Sequence, residues 1–156
     1  MAQRLEVGGQ APDFVLPDQS GTLVRLSDLL GRQSVVLYFY PKDDSPGCAR
    51  EARAFEAQRE LIKGAGAAVV GVSRDSVSSH RRFAAREHLA FPLLSDREGA
   101  VRRLYGVEEA LGFLPGRVTY VIDSGGVVRH VYSSWVHPTR HPDEALAALR
   151  GRARPA

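Results

Sequence analysis

The segment Ser34-Val-Val-Leu-Tyr-Phe-Tyr40-Pro41-Lys-Asp-Asp-Ser45-Pro-Gly-Cys48-Ala-Arg-Glu51 changes character twice within eighteen residues. Ser34 to Tyr40 is a nearly continuous β-branched and aromatic run, the pattern of a strand buried on both faces. Pro41 to Gly47 is dense in turn formers and reads as a loop. From Cys48 to Lys63 there is neither Pro nor Gly, and Ala52, Phe55, Arg59 and Ile62 fall on one helical face before Gly64 and Gly66 end the helix. A central strand, a tight loop and a helix opened by the only cysteine of the chain therefore follow one another. Unpaired backbone N–H groups and the positive end of the helix dipole point at that cysteine, and they favour thiolate over thiol.

Working outward, Pro12 to Leu26 reads as two short strands around the turn Asp18-Gln-Ser-Gly21, and Ser27 to Gly31 as one capped helical turn. Ala67 to Val72 is a second buried strand. Ser73-Arg-Asp-Ser76 starts a helix holding Val77, Phe83 and Leu89. Leu93-Leu94 make a short strand and Glu98 to Tyr105 a short helix. Val118 to Ile122 and Val127 to Ser133 form a hairpin around Asp123-Ser-Gly-Gly126, and Asp143 to Arg150 closes the chain as a helix with Leu146 and Leu149 facing inward. The order βαβ, α, ββα implies an α/β fold of thioredoxin-like connectivity, a central mixed sheet flanked by helices, with an N-terminal β-hairpin extension. With 156 residues and no linker or repeat, the expectation is a single domain over 1–156.

Composition narrows the function classes. The longest unbroken apolar run, Val35 to Tyr40, is far short of the roughly 20 residues a bilayer requires. The start, Met1-Ala-Gln-Arg-Leu-Glu6, lacks the apolar stretch of a signal peptide, so a cytoplasmic location is expected. One cysteine excludes an internal disulfide, a dithiol redox pair and a thiolate zinc cage. The net charge is +3, and 19 of 21 basic residues are Arg, yet they are spread evenly and form no stripe, so neither nucleic acid nor membrane is expected as a partner. No glycine-rich phosphate loop follows a strand, which argues against a nucleotide cofactor.

Pro41-x-x-x-Ser45-x-x-Cys48 resembles the peroxidatic signature of the peroxiredoxins. The longer string Tyr38 to Cys48, with Glu51 behind it, is similar to their Q-type subgroup, the bacterioferritin-comigratory proteins of the AhpC/TSA family. Arg117-Val-Thr-Tyr-Val-Ile-Asp123 is similar to the family's strand that brings an arginine to the sulfur. Gly9 to Phe14, Gly71 to Ser76 and Phe91 to Asp96 also fit, so the resemblance covers nearly the whole chain in order. It implies a thioredoxin-like fold and a thiol peroxidase acting on hydrogen peroxide and organic hydroperoxides without cofactor or metal. Cys48 would be the nucleophile, emerging as a sulfenic acid. Arg117 would hold the thiolate and the peroxide oxygens, and Ser45, with the Cys48 backbone N–H, would orient the peroxide. Pro41 would shield the pocket, and Glu51 would fix the direction of an arginine.

Two departures from the subgroup matter. Relatives place a second, resolving cysteine five residues after the first, where Arg53 stands here, or in the following helix, where Ala84 stands by evolution or by engineering. This would be a one-cysteine enzyme, recycled by an external thiol such as thioredoxin, glutaredoxin or a low-molecular-weight thiol, or through a disulfide between two Cys48 residues. A monomer or weak homodimer is expected. Ser45 stands where Thr is more usual, keeping the hydroxyl and losing a methyl group.

His80, His88, His130, His137 and His141 form no metal-ligand pair on one helix face and are expected in solvated or capping roles. Thr139 to Asp143 is expected to cap the last helix, Trp135 to pack near a loop, and Asp43 and Asp44, with Asp13 and Asp18, to serve turns. Two alternatives to a peroxidase stand: a peroxide-sensing regulator whose Cys48 oxidises without efficient turnover, and a silent thioredoxin-fold binding protein.

Overall fold

The computed structural model describes residues 5–107 and 116–151. Among them, β1 (Val15–Pro17) and β2 (Leu23–Arg25) form the N-terminal antiparallel hairpin. A five-stranded sheet has the order β5 (Leu93–Ser95), β4 (Ala67–Ser73), β3 (Ser34–Phe39), β6 (Val118–Ile122) and β7 (Val128–Ser133). Strands β3, β4 and β5 are parallel, while β6 runs antiparallel to both β3 and β7, giving the mixed sheet expected.

Strand β3 sits in the centre and is buried on both faces because successive side chains point to opposite sides. Val35, Leu37 and Phe39 face one core layer with Leu26 and Leu30 of α1 (Leu26–Leu30) and Val101 of α4 (Ala100–Leu104). Val36 and Tyr38 face the other layer, with Cys48, Ala52, Phe55 and Ile62 of α2 (Pro46–Gly64), Phe83 and Ala84 of α3 (Val77–Glu87) and Leu146 of α5 (Arg140–Leu149). Phe55 stacks on Tyr38 at 4.2 Å between ring centroids, which fixes α2 against the strand whose end carries the loop.

Several local expectations shift. Helix α2 starts at Pro46, two residues before Cys48, because proline suits the first helical position and the Ser45 side chain caps it. Leu89 lies beyond α3, which stops at His88 in the left-handed conformation (φ 57°). Helix α1 has no side-chain cap: the Ser27 hydroxyl donates to Asp13 instead, at 3.0 Å. Helix α5 begins at Arg140 without the expected cap, since Thr139 makes no capping hydrogen bond and Asp143 accepts from the Gln58 amide. On the outer edge of β5, the Gln19 side chain accepts from the Leu93 N–H at 2.8 Å and donates to the Phe91 carbonyl at 3.1 Å. No helix is long and apolar enough to cross a membrane among the described residues.

Candidate active site

The loop from Pro41 to Ser45 leaves the end of β3 and turns into α2, so the strand and the helix hold Cys48 from two sides. Asp44 takes a left-handed conformation (φ 72°), the tight turn that its residue type tolerates. The Ser45 hydroxyl donates to the Lys42 carbonyl at 3.1 Å and accepts from the Cys48 N–H at 3.4 Å. That N–H therefore serves the helix cap in this conformation and does not point freely into the pocket.

Cys48 is 1% exposed and lies in the first turn of α2. Arg117 immediately precedes β6, the neighbour of β3 in the sheet, and is 4% exposed. Its Nη1 donates to Glu51 Oε1 at 2.5 Å, its Nε donates to the Trp135 carbonyl at 3.3 Å, and its guanidinium carbon sits 5.8 Å from the Trp135 ring centroid. A Cβ on Gly47 would lie 3.2 Å from Arg117 Nη2, so glycine lets the guanidinium lie against the loop. Glu51, one turn along from Cys48, pairs with an arginine as the resemblance implies, and the arginine is Arg117.

A cavity of about 540 Å³ opens over this group, lined by Pro41, Ser45, Gly47 and Arg117 with Trp135, Val136 and Pro138, and bordered by Lys42 and Arg50. Its wall is predominantly apolar, with the charge of Arg117 at the inner end. The structure thus brings Pro41, Ser45, Cys48 and Glu51 of one loop–helix segment together with Arg117, distant in sequence.

Electrostatics correct one expectation. The helix start and Arg117 are expected to favour the thiolate, but burial pushes the Cys48 thiol above its ordinary value, Arg117, the Ser45 hydroxyl and the Lys42 backbone pull it only partly back, and Glu51 adds a smaller upward push. Burial also pushes Glu51 up to about 8, against Arg117 pulling it down. A Glu51 carboxyl that keeps its proton on Oε2 still accepts from Arg117 through Oε1, so the short pair and the raised value agree.

The histidine expectation fails at two positions. His80 is fully buried, with Nδ1 2.8 Å from Asp43 Oδ2 and Nε2 3.0 Å from the Leu94 carbonyl. Asp43 is therefore not merely a turn residue: it also accepts from the Tyr40 hydroxyl at 2.6 Å and the Ser79 hydroxyl at 2.8 Å, and its N–H donates to Asp75. Asp43, Asp75 and His80 lie close enough to resemble a metal site, but each is already engaged in these hydrogen bonds. His141 is also fully buried, between Thr119 Oγ1 at 2.7 Å and the Ser134 carbonyl at 2.9 Å. Sequence reasoning missed Thr119, His141 and the role of Trp135, which come from segments with no local signal.

The sequence pattern of the AhpC/TSA family matches residues 7–131, four-fifths of the chain. The chain belongs to this family. Within it, the chain is 49% identical over 144 residues to the chloroplastic peroxiredoxin Q of Sedum lineare, covering 92% of this chain and 77% of the relative. The chloroplastic peroxiredoxin Q of Populus jackii is 48% identical over 144 residues, covering 91% and 67%. Among solved structures, the peroxidoxin BcpB of Mycobacterium tuberculosis superposes with a TM-score of 0.89 at 41% identity, covering 97% of this chain and all of that one. The bacterioferritin comigratory protein of Xanthomonas campestris, described for its alkyl peroxide reduction activity, gives 0.82 at 35% identity, covering 96% and 98%. This peroxiredoxin Q-type chain is accordingly a thiol peroxidase with a thioredoxin-like fold and a single cysteine.

Proposed function

We propose that the chain is a one-cysteine thiol peroxidase for hydrogen peroxide and alkyl hydroperoxides, with Cys48 as nucleophile and an external thiol as reductant. The observation carrying this reading is the only cysteine of the chain, set in the first turn of α2 beside a cavity into which Arg117 points. Cys48 thiolate attacks one peroxide oxygen in line with the O–O bond; the S–O bond forms, the O–O bond breaks, and the other oxygen leaves and takes up a proton as water or alcohol. Arg117 donates toward the oxygens as negative charge moves across them, and the Ser45 hydroxyl, able to turn from Lys42, supplies a second donor. Pro41 keeps water from one side of the sulfur. The apolar wall of Trp135, Val136 and Pro138 suits the organic part of an alkyl hydroperoxide, the substrate class named for the Xanthomonas relative.

Cys48 sulfenic acid is then attacked by an external thiol, forming a mixed disulfide and water, and a second thiol displaces Cys48 as the two external thiols become a disulfide. Thioredoxin, glutaredoxin and low-molecular-weight thiols are the candidate donors for a cytoplasmic monomer or weak homodimer. The test is stopped-flow oxidation of Cys48 by hydrogen peroxide and by an alkyl hydroperoxide, with intact mass of the product and turnover with each donor. Oxidation orders of magnitude above a free thiol, followed by turnover and lost in Cys48→Ser, supports the proposal. Fast oxidation with no turnover by any donor indicates a sensor, and oxidation no faster than a free thiol overturns the peroxidase reading.

A further inference from the structure

Around the ion pair, two buried polar atoms of the described residues make no hydrogen bond, Glu51 Oε2 and the Tyr38 hydroxyl. Glu51 Oε1 is taken by Arg117, but Glu51 Oε2 is buried without a hydrogen bond and lies 3.6 Å from His141 Nδ1. The tautomer of His141 follows from its other nitrogen. The Ser134 carbonyl 2.9 Å from Nε2 accepts only, so Nε2 carries the hydrogen and Nδ1 of the neutral ring presents a lone pair, toward which the Thr119 hydroxyl donates. A carboxylate oxygen then faces, at 3.6 Å, a ring nitrogen whose one lone pair is held by the Thr119 hydroxyl, and in a buried interior two such acceptors side by side are unfavourable unless a proton lies between them.

We propose that His141 is a positioning residue that holds a proton on Glu51 Oε2, so that the single negative charge opposing Arg117 falls on Cys48. The exchange balances within the site: Cys48 thiol plus Glu51 carboxylate becomes Cys48 thiolate plus Glu51 carboxylic acid, with no change in net charge and no bond other than the two proton bonds altered. Arg117 favours either anion, and the buried site has room for one. The acid form of Glu51 competes with the Thr119 hydroxyl for the one lone pair of Nδ1, and closing the 3.6 Å gap lets Nδ1 accept that proton and tip the distribution toward thiolate.

The groups around Glu51 fit this arrangement. From α2 comes Cys48, from β6 Thr119 and, just before that strand, Arg117, from β3 Tyr38 and from α5 His141, while Lys42 and Arg50 stand farther out at the cavity. Burial keeps the Tyr38 hydroxyl well above its ordinary value, with Glu51 and Cys48 adding to the shift, so it stays protonated. Burial pushes His141 down to about 4, and Arg117 adds to that direction, so the ring stays neutral at the pH of the reaction.

The test reads thiolate formation directly, by ultraviolet absorbance against pH and by the pH dependence of Cys48 alkylation, without peroxide. His141→Leu removes the acceptor and is expected to raise the midpoint of thiolate formation by about one pH unit, a tenfold change. In a Glu51→Gln background, where no proton can be shared, the same substitution is expected to leave the midpoint in place. Thr119→Val, nearly isosteric, removes the competing donor to Nδ1 and is expected to lower the midpoint when Glu51 is present and not when it is Gln, which decides the matter if His141→Leu does not fold. His141→Gln, keeping an acceptor, is expected to restore most of the shift. Equal shifts in both backgrounds, or none in either, overturn the proposal. It rests on Cys48 being the peroxide nucleophile, but the titration is separate from peroxide kinetics: normal titrations with slow oxidation would sink the peroxidase reading, and fast oxidation without coupled titrations would sink only this one.

Discussion

His80 and Asp43 lock the loop between β3 and α2 to α3 through a fully buried pair whose Nδ1–Oδ2 distance is 2.8 Å. His80 Nε2 faces the Leu94 carbonyl and Nδ1 the Asp43 carboxylate, so both ring nitrogens are engaged in the core. Removing one partner leaves buried polar groups of the core without their hydrogen bonds. His80→Leu is expected to cost about 3–5 kcal/mol of stability, read as the loss in urea unfolding free energy, whereas replacing both members by apolar residues should cost less.

Arg117→Ala is expected to slow oxidation of Cys48 by about a hundredfold or more. Arg117→Lys should recover little, because Glu51, the Trp135 carbonyl and the Trp135 ring are gripped by different parts of one planar guanidinium. Stopped-flow rates for both variants, set against unchanged circular dichroism, check this.

Stability should fall on both sides of a mildly acidic plateau. Glu51 rises from 4.5 to about 8 on folding, so the folded chain holds a proton the unfolded chain has released, and stability declines as pH rises through that interval. His141 falls from 6.5 to about 4, so the unfolded chain binds the extra proton, and stability declines as pH drops through that interval. Between 4.5 and 6.5 the two slopes oppose. Glu51→Gln is expected to flatten the alkaline decline and His141→Gln the acidic one in urea unfolding at graded pH.

Trp135→Ala removes much of the apolar wall beside Arg117. The KM for a bulky organic hydroperoxide is expected to rise about tenfold, with a smaller effect on hydrogen peroxide. Equal loss for both substrates would assign Trp135 to holding Arg117 and not to binding the organic group.

The architecture was legible because β3 and the loop after it are local statements. The run Val35 to Tyr40 has one sheet position available to it, and Pro41, Ser45 and Cys48 are spaced by the turn they make. The pairing of Glu51 with an arginine was legible only through the family resemblance, since one helical turn from Cys48 says nothing of what the carboxylate meets. What stayed hidden was set by distance along the chain. His80 and Asp43 are 37 residues apart, and His141 meets Glu51 only because α5 packs against α2; neither histidine carries a spacing that distinguishes a buried ring from a solvated one. The height of the Cys48 thiol was hidden too, since the helix start is written in the sequence and the dryness of the site is not.

The Gln19 amide mimics a stretch of neighbouring backbone, offering one acceptor to Leu93 and one donor to Phe91 at the outer side of β5. A bare strand border is a template on which a second molecule can add its own strand, the first step of aggregation. Here that border is already sealed by a side chain from the N-terminal hairpin, so the hairpin protects the dissolved protein from its neighbours while taking no part in the chemistry at the other end of α2.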